Sequence, residues 1–141
     1  MRAKIIALLL ICATLLSACA EMVQKQRAVE TDRRQRLQEA AEKAKFTCTS
    51  KKQCDKAFTL AQVFVEQNSD MKIQLVSNTL IQTYSPVRSG TIGITVRRIP
   101  NKGESESLEL DAWCDGMWYV DHCNRIWGIF GDFKPFIDSR L

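Results

Sequence analysis

The chain has 141 residues and a formal charge of +4, with 20 Lys and Arg against 16 Asp and Glu. Residues 46–141 carry eleven acidic and eleven basic side chains, so the whole excess lies before them. A balanced domain argues against nucleic acid, which needs a basic face for counterion release, and nothing in the chain repeats or is of low complexity.

Arg2 and Lys4 precede an apolar run from Ile5 to Leu16, too short to span a bilayer comfortably and shaped like the hydrophobic part of an export signal. Leu16-Ser17-Ala18-Cys19 follows directly, and this tetrapeptide resembles the lipobox of bacterial lipoproteins. The resemblance covers the first twenty residues and names no family for the remainder. It implies cleavage between Ala18 and Cys19, a diacylglyceryl group on the Cys19 thiol and acylation of the new amine. Cys19 is then the lipidation site, and the lipid bilayer is the first partner. Ala20 behind it implies, by the same resemblance, sorting to the outer membrane of a Gram-negative cell, with the domain facing the periplasm. Three acyl chains suffice as an anchor, since each buried methylene contributes about 0.8 kcal/mol and stable anchoring takes two chains.

Removing residues 1–18 leaves 123, enough for one ordinary domain on a tether. Residues 19–45 are expected to form that tether, helical or flexible. The stretch from Glu21 to Lys45 has no Pro or Gly and is rich in Gln, Glu, Ala, Arg and Lys. Its apolar stripe, Val29, Leu37, Ala40, Ala41 and Ala44, is narrow, and Gln38 with Glu42 and Glu39 with Lys43 fall at helical spacing. A fully helical 25 residues would reach about 38 Å. The stripe falls short of the sustained heptads of a coiled coil.

The folded domain is expected over residues 46–141, as an α+β fold with one helix on a small antiparallel sheet of about three strands. Ser50 with Gln53 reads as a capping box opening a helix from about Lys51 to Gln67, with Ala57, Phe58, Leu60, Ala61, Phe64 and Val65 as its core face. Asn68-Ser69-Asp70 stops it. Met71–Tyr84 is strand-like but interrupted at Ser77-Asn78, so it is one bulged strand or two short ones. Thr91–Ile99 alternates, and Ser105–Asp115 gives the cleanest alternation, with Leu108, Leu110, Ala112 and Cys114 against Ser107, Glu109, Asp111 and Trp113. A short helix is expected over His122–Phe130, ended by Gly131 and barred from continuing by Pro135.

Cys12 leaves with the signal and Cys19 takes lipid, so Cys48, Cys54, Cys114 and Cys123 remain as an even set in an oxidising compartment, which reads as two disulfides. Three connectivities are open. Proximity favours Cys48 with Cys54 and Cys114 with Cys123; loop entropy does not choose, giving about 2.4 and 2.7 kcal/mol for the local loops and about 4.4 for a long one. A zinc site is the sharper alternative, but neither spacing is the tight pair of zinc fingers.

No catalytic or metal-binding constellation is expected. His122, the single histidine, sits between Asp121 and Cys123, and adjacent residues cannot face one site from a helix or strand. No glycine pattern cradles phosphate, so no cofactor is expected. Glu104, Glu106 and Glu109 read as turn and solvent-face charges. Trp113, on the polar parity of its strand, with Trp118 and Tyr119 beyond it, is the candidate interface. The expectation is a membrane-anchored envelope lipoprotein with a non-enzymatic structural or protein-interaction role in the periplasm, its partner an envelope protein. The alternative is a ligand-binding or inhibitor module directed at a cell-wall hydrolase or a glycan.

Overall fold

The computed structural model describes residues 2–115 and 123–141, with side chains from residue 20 onward. The chain divides into two compact units, Met1–Gln38 and Glu39–Leu141. From residue 2 onward the first is helical, part of α1, Arg2–Ala44. Its described surface is polar and held by helical-spacing pairs, Arg34 with Glu30 at 3.0 Å and Arg36 with Asp32 at 2.6 Å, while Met22, Val23 and Val29 are exposed. Among the described residues no helix is long and apolar enough to cross a membrane.

The second unit is α+β. It contains β1 (Phe46–Cys48), α2 (Lys51–Asn68), β2 (Ile73–Val76), β3 (Leu80–Thr83), β4 (Ile92–Pro100), β5 (Glu106–Cys114) and α3 (Arg125–Asp138). The strands form one antiparallel sheet in the order β1-β5-β4-β3-β2. Five strands replace the expected three for two reasons. Ser77 breaks the Met71–Tyr84 stretch into a hairpin, its Oγ accepting from Thr79 N at 3.2 Å and Leu80 N at 3.1 Å while its own N–H donates to Leu80 O. Phe46–Cys48 pairs with β5 in register Phe46↔Leu108 and Cys48↔Glu106, a strand of three residues too short to show a period.

Alternation decides which face is buried. Ile92, Ile94 and Val96 of β4 lie opposite Cys114, Ala112 and Leu110 of β5, and all six are buried, with Ile81, Phe46 and Cys48 extending the layer. α2 supplies Ala57, Ala61, Phe64 and Val65, and α3 supplies Ile126, Ile129, Phe130, Phe133 and Ile137. Phe64 joins the two helices, meeting Phe133 and Phe136 edge-on with centroids 5.2 and 5.3 Å away.

The start of α2 follows the expected capping chemistry. Ser50 Oγ accepts from Gln53 N, and Gln53 Oε1 reaches back to Thr49 N at 2.9 Å. α3 departs from expectation: it begins at Arg125, passes through Gly131 and Pro135, and ends at Asp138. Its five buried apolar residues recur on one face, and burial of that stripe overrides the helix-breaking cost of Pro135. Both local disulfides form, Cys48–Cys54 and Cys114–Cys123, with Cα atoms 5.3 and 5.9 Å apart. The first staples β1 to the opening turn of α2; the second ties the end of β5 to the residues before α3.

Candidate functional site

A groove of about 570 Å³ opens between α2 and the β2–β3 turn. One wall is the helical face Lys51, Asp55, Phe58, Thr59 and Gln62, whose spacing of three and four residues lines them up. The other is Val76-Ser77-Asn78-Thr79, and Arg98, Pro100 and Glu106 close the end.

Arg98 organises this site. It continues the inward parity of Ile92, Ile94 and Val96, so β4 carries its guanidinium onto the core face, where the side chain is only 13 % exposed. Glu106 has the parity of Leu108 and Leu110, which places it on that face too and corrects its assignment to the solvent side. Arg98 Nε donates to Glu106 Oε2, and its other arm donates to Asp55 Oδ1 at 2.8 Å. The guanidinium carbon sits 5.7 Å from the Phe58 ring centroid. Phe58 is thus half-buried beneath a cation at the groove wall, and not in the core where its helical position suggests. The Arg98 N–H donates to Thr79 O at 2.8 Å, which pins the turn to β4.

The charges compensate one another. Hydrogen bonding from Lys51 first and Arg98 second holds the Asp55 carboxyl below its ordinary range, and Glu106 with Asp55 raises Arg98. Lys51 and Asp55 are 2.8 Å apart with exposed side chains, so that outer pair is screened and weak. Two cations against two carboxylates leave the groove formally neutral.

Glu106 also approaches the first disulfide: a carboxylate oxygen and both sulfurs of Cys48 and Cys54 lie within 4.8 Å of one another. The sulfurs are bonded to each other, so the trio offers a metal no thiolate. It is the group whose atoms come nearest to a ligand set among the described residues.

The aromatic candidates fare differently. Trp113 is half-buried on the sheet face opposite the helices, across from Gly93. Its indole lies so close to Gly93 that a Cβ there would stand 2.8 Å from two ring carbons and 3.0 Å from Pro86 Cδ. The ring therefore lies over a glycine in the neighbouring strand and stays half-buried there. Trp118, Tyr119 and His122 lie outside the described residues, as does the Cys19 side chain.

The groove was the part of the site hidden from sequence reasoning, although a signal existed. An arginine and a glutamate occur at inward parity on neighbouring strands, and charges at such positions are rare unless paired. The architecture defined here is a two-helix, five-stranded antiparallel α+β domain with an interstitial charged groove. Comparison with protein-family models, with curated proteins and with solved structures finds no match to this chain.

Proposed function

We propose that the chain is a lipid-anchored envelope lipoprotein with a non-enzymatic role, its domain held at the membrane surface to engage an envelope protein. The observation that carries this reading is Leu16-Ser17-Ala18-Cys19 behind a basic end and an apolar run. Two disulfides suit an oxidising compartment. Asp55 and Glu106, both committed to Arg98, favour binding over acid–base chemistry, because neither is placed as a free proton carrier. Ala20 directs the anchor to the outer membrane, with the domain in the periplasm.

The second reading, a module that binds a glycan or blocks a cell-wall hydrolase, draws on the polar lining of the groove.

Metabolic labelling with a fatty acid and intact-mass measurement test the anchor. The wild-type chain is expected to carry three acyl chains on residues 19–141, and Cys19→Ser to take up no label. An unlipidated wild-type chain overturns it. Crosslinking in cells from the domain separates the two readings: one envelope protein supports the first, a captured hydrolase or glycan the second.

A further inference from the structure

We infer that the groove and the adjoining free edge of β2 form a docking site for a short, extended, uncharged stretch of a partner polypeptide. This rests on the reading of the domain as a partner-binding module and names the surface and the chemistry it takes.

Among the described residues β2 is the last strand of its sheet, so one row of its backbone donors and acceptors has no neighbouring strand there. Sheet edges are normally blunted by charge or by irregularity. Here the exposed charge, Lys72, and the register shift between Ile73 and Leu75 both fall at the start of the strand. The regular remainder, Leu75 and Val76, is apolar, and each of the two residues is 46 % exposed. Val76 and Ser77 are also on the rim of the groove. An extended chain pairing with this edge would send alternate side chains over Val76 toward Phe58.

Charge complementarity selects the occupant. Lys51, Arg98, Asp55 and Glu106 cancel in charge and bond among themselves, so the groove carries no net charge to offset the hydration a charged ligand would lose. Gln62 and Asn78 stand on opposite walls; the Gln62 amide nitrogen donates to Glu66 Oε1 at 3.1 Å, which leaves its second N–H and its oxygen, with the Asn78 amide, to suit the alternating donors and acceptors of a peptide backbone. A sugar ring asks for an open aromatic face, and the Phe58 face carries Arg98. With so short a paired edge the affinity is modest, since little main chain is engaged.

The test is a titration of the ¹⁵N-labelled full chain in detergent micelles with two probes, an acetylated and amidated (Thr-Val)₃ hexapeptide and chitotetraose. The hexapeptide is expected to shift the amides of Phe58, Leu75, Val76 and Ser77 saturably, and chitotetraose to leave them in place. Val76→Asp is expected to weaken the peptide at least tenfold. Gln62→Ala, on the other wall, is expected to weaken it as well and guards against a local fold change in β2. Shifts with chitotetraose alone, no shifts with either probe at millimolar concentration, or binding of the hexapeptide at wild-type strength by both variants overturns the proposal. A lipidated chain that ignores the peptide removes this site and leaves the broader reading standing, whereas an unlipidated chain that binds it removes only the anchor.

Discussion

Gly93 and Arg98, five residues apart on β4, show how one strand serves two faces. At Gly93 the side chain is missing so that the Trp113 indole can lie against the backbone. Adding one methyl forces the ring and Pro86 to move, and Gly93→Ala is expected to cost about 1–3 kcal/mol in urea unfolding, an overpacking penalty. At Arg98 the opposite holds, because its side chain is nearly enclosed and its partners are acids. Arg98→Met keeps the stem and removes both charged hydrogen bonds; a loss of about 2 kcal/mol is expected by the same measurement. Asp55 supplies a pH signature. Its folded-state affinity for protons is lowered, so it contributes stability above the ordinary carboxylate pKa, and that contribution disappears as pH falls through the lower folded value. Carboxyl NMR titration is expected to show Asp55 ionising below the usual range in the wild type and moving upward in both Lys51→Ala and Arg98→Met. An unchanged Asp55 midpoint in both variants would refute the assignment.

The secondary elements differ in how much of them can be read from sequence. α2 is legible because cap, apolar face and stop signal agree, and β4 and β5 are legible because nine residues of alternation fix both strand and face. β1 is not, since three residues make no period and the pairing with β5 is tertiary. α3 misleads because Gly131 and Pro135 are strong local stop signals, yet the apolar stripe around them outweighs both. The groove is less legible still: Asp55, Arg98 and Glu106 come from three elements, and only their burial together reveals the network. Two outcomes test the elements. A Cβ at Gly128 would meet nothing within 4 Å, so Gly128→Ala is expected to stabilise α3 by about 0.5–1 kcal/mol in thermal unfolding, through backbone entropy. Replacing Cys48 and Cys54 together by Ser is expected to cost about 2.4 kcal/mol from loop entropy.

At the scale of the whole chain, the second compact unit begins at Glu39, inside α1, and takes that helix's last turn with it. Ala44 is buried, and Lys45, held charged chiefly by its hydrogen bond to Glu109, lies 2.7 Å from that carboxylate. A fragment of residues 39–141 is therefore expected to unfold cooperatively, and one of residues 46–141 to be less stable by about 1 kcal/mol, the scale of burying Ala44. Equal midpoints for the two fragments would show that the turn contributes nothing. The stapling of β1 to α2 has a mechanical meaning for a protein pulled through its N-terminal segment. Tension entering at Phe46 meets the three-residue pairing of β1 with β5, then passes from Cys48 through the sulfur bridge into Cys54. The capped first turn of α2, with Ser50 and Gln53, is bypassed by the load and stays slack. Under a reductant that shield is lost, and stretching the chain should release about 15 Å of additional length, the extended reach of the six-residue separation less the 5.3 Å that the bridged Cα atoms already span.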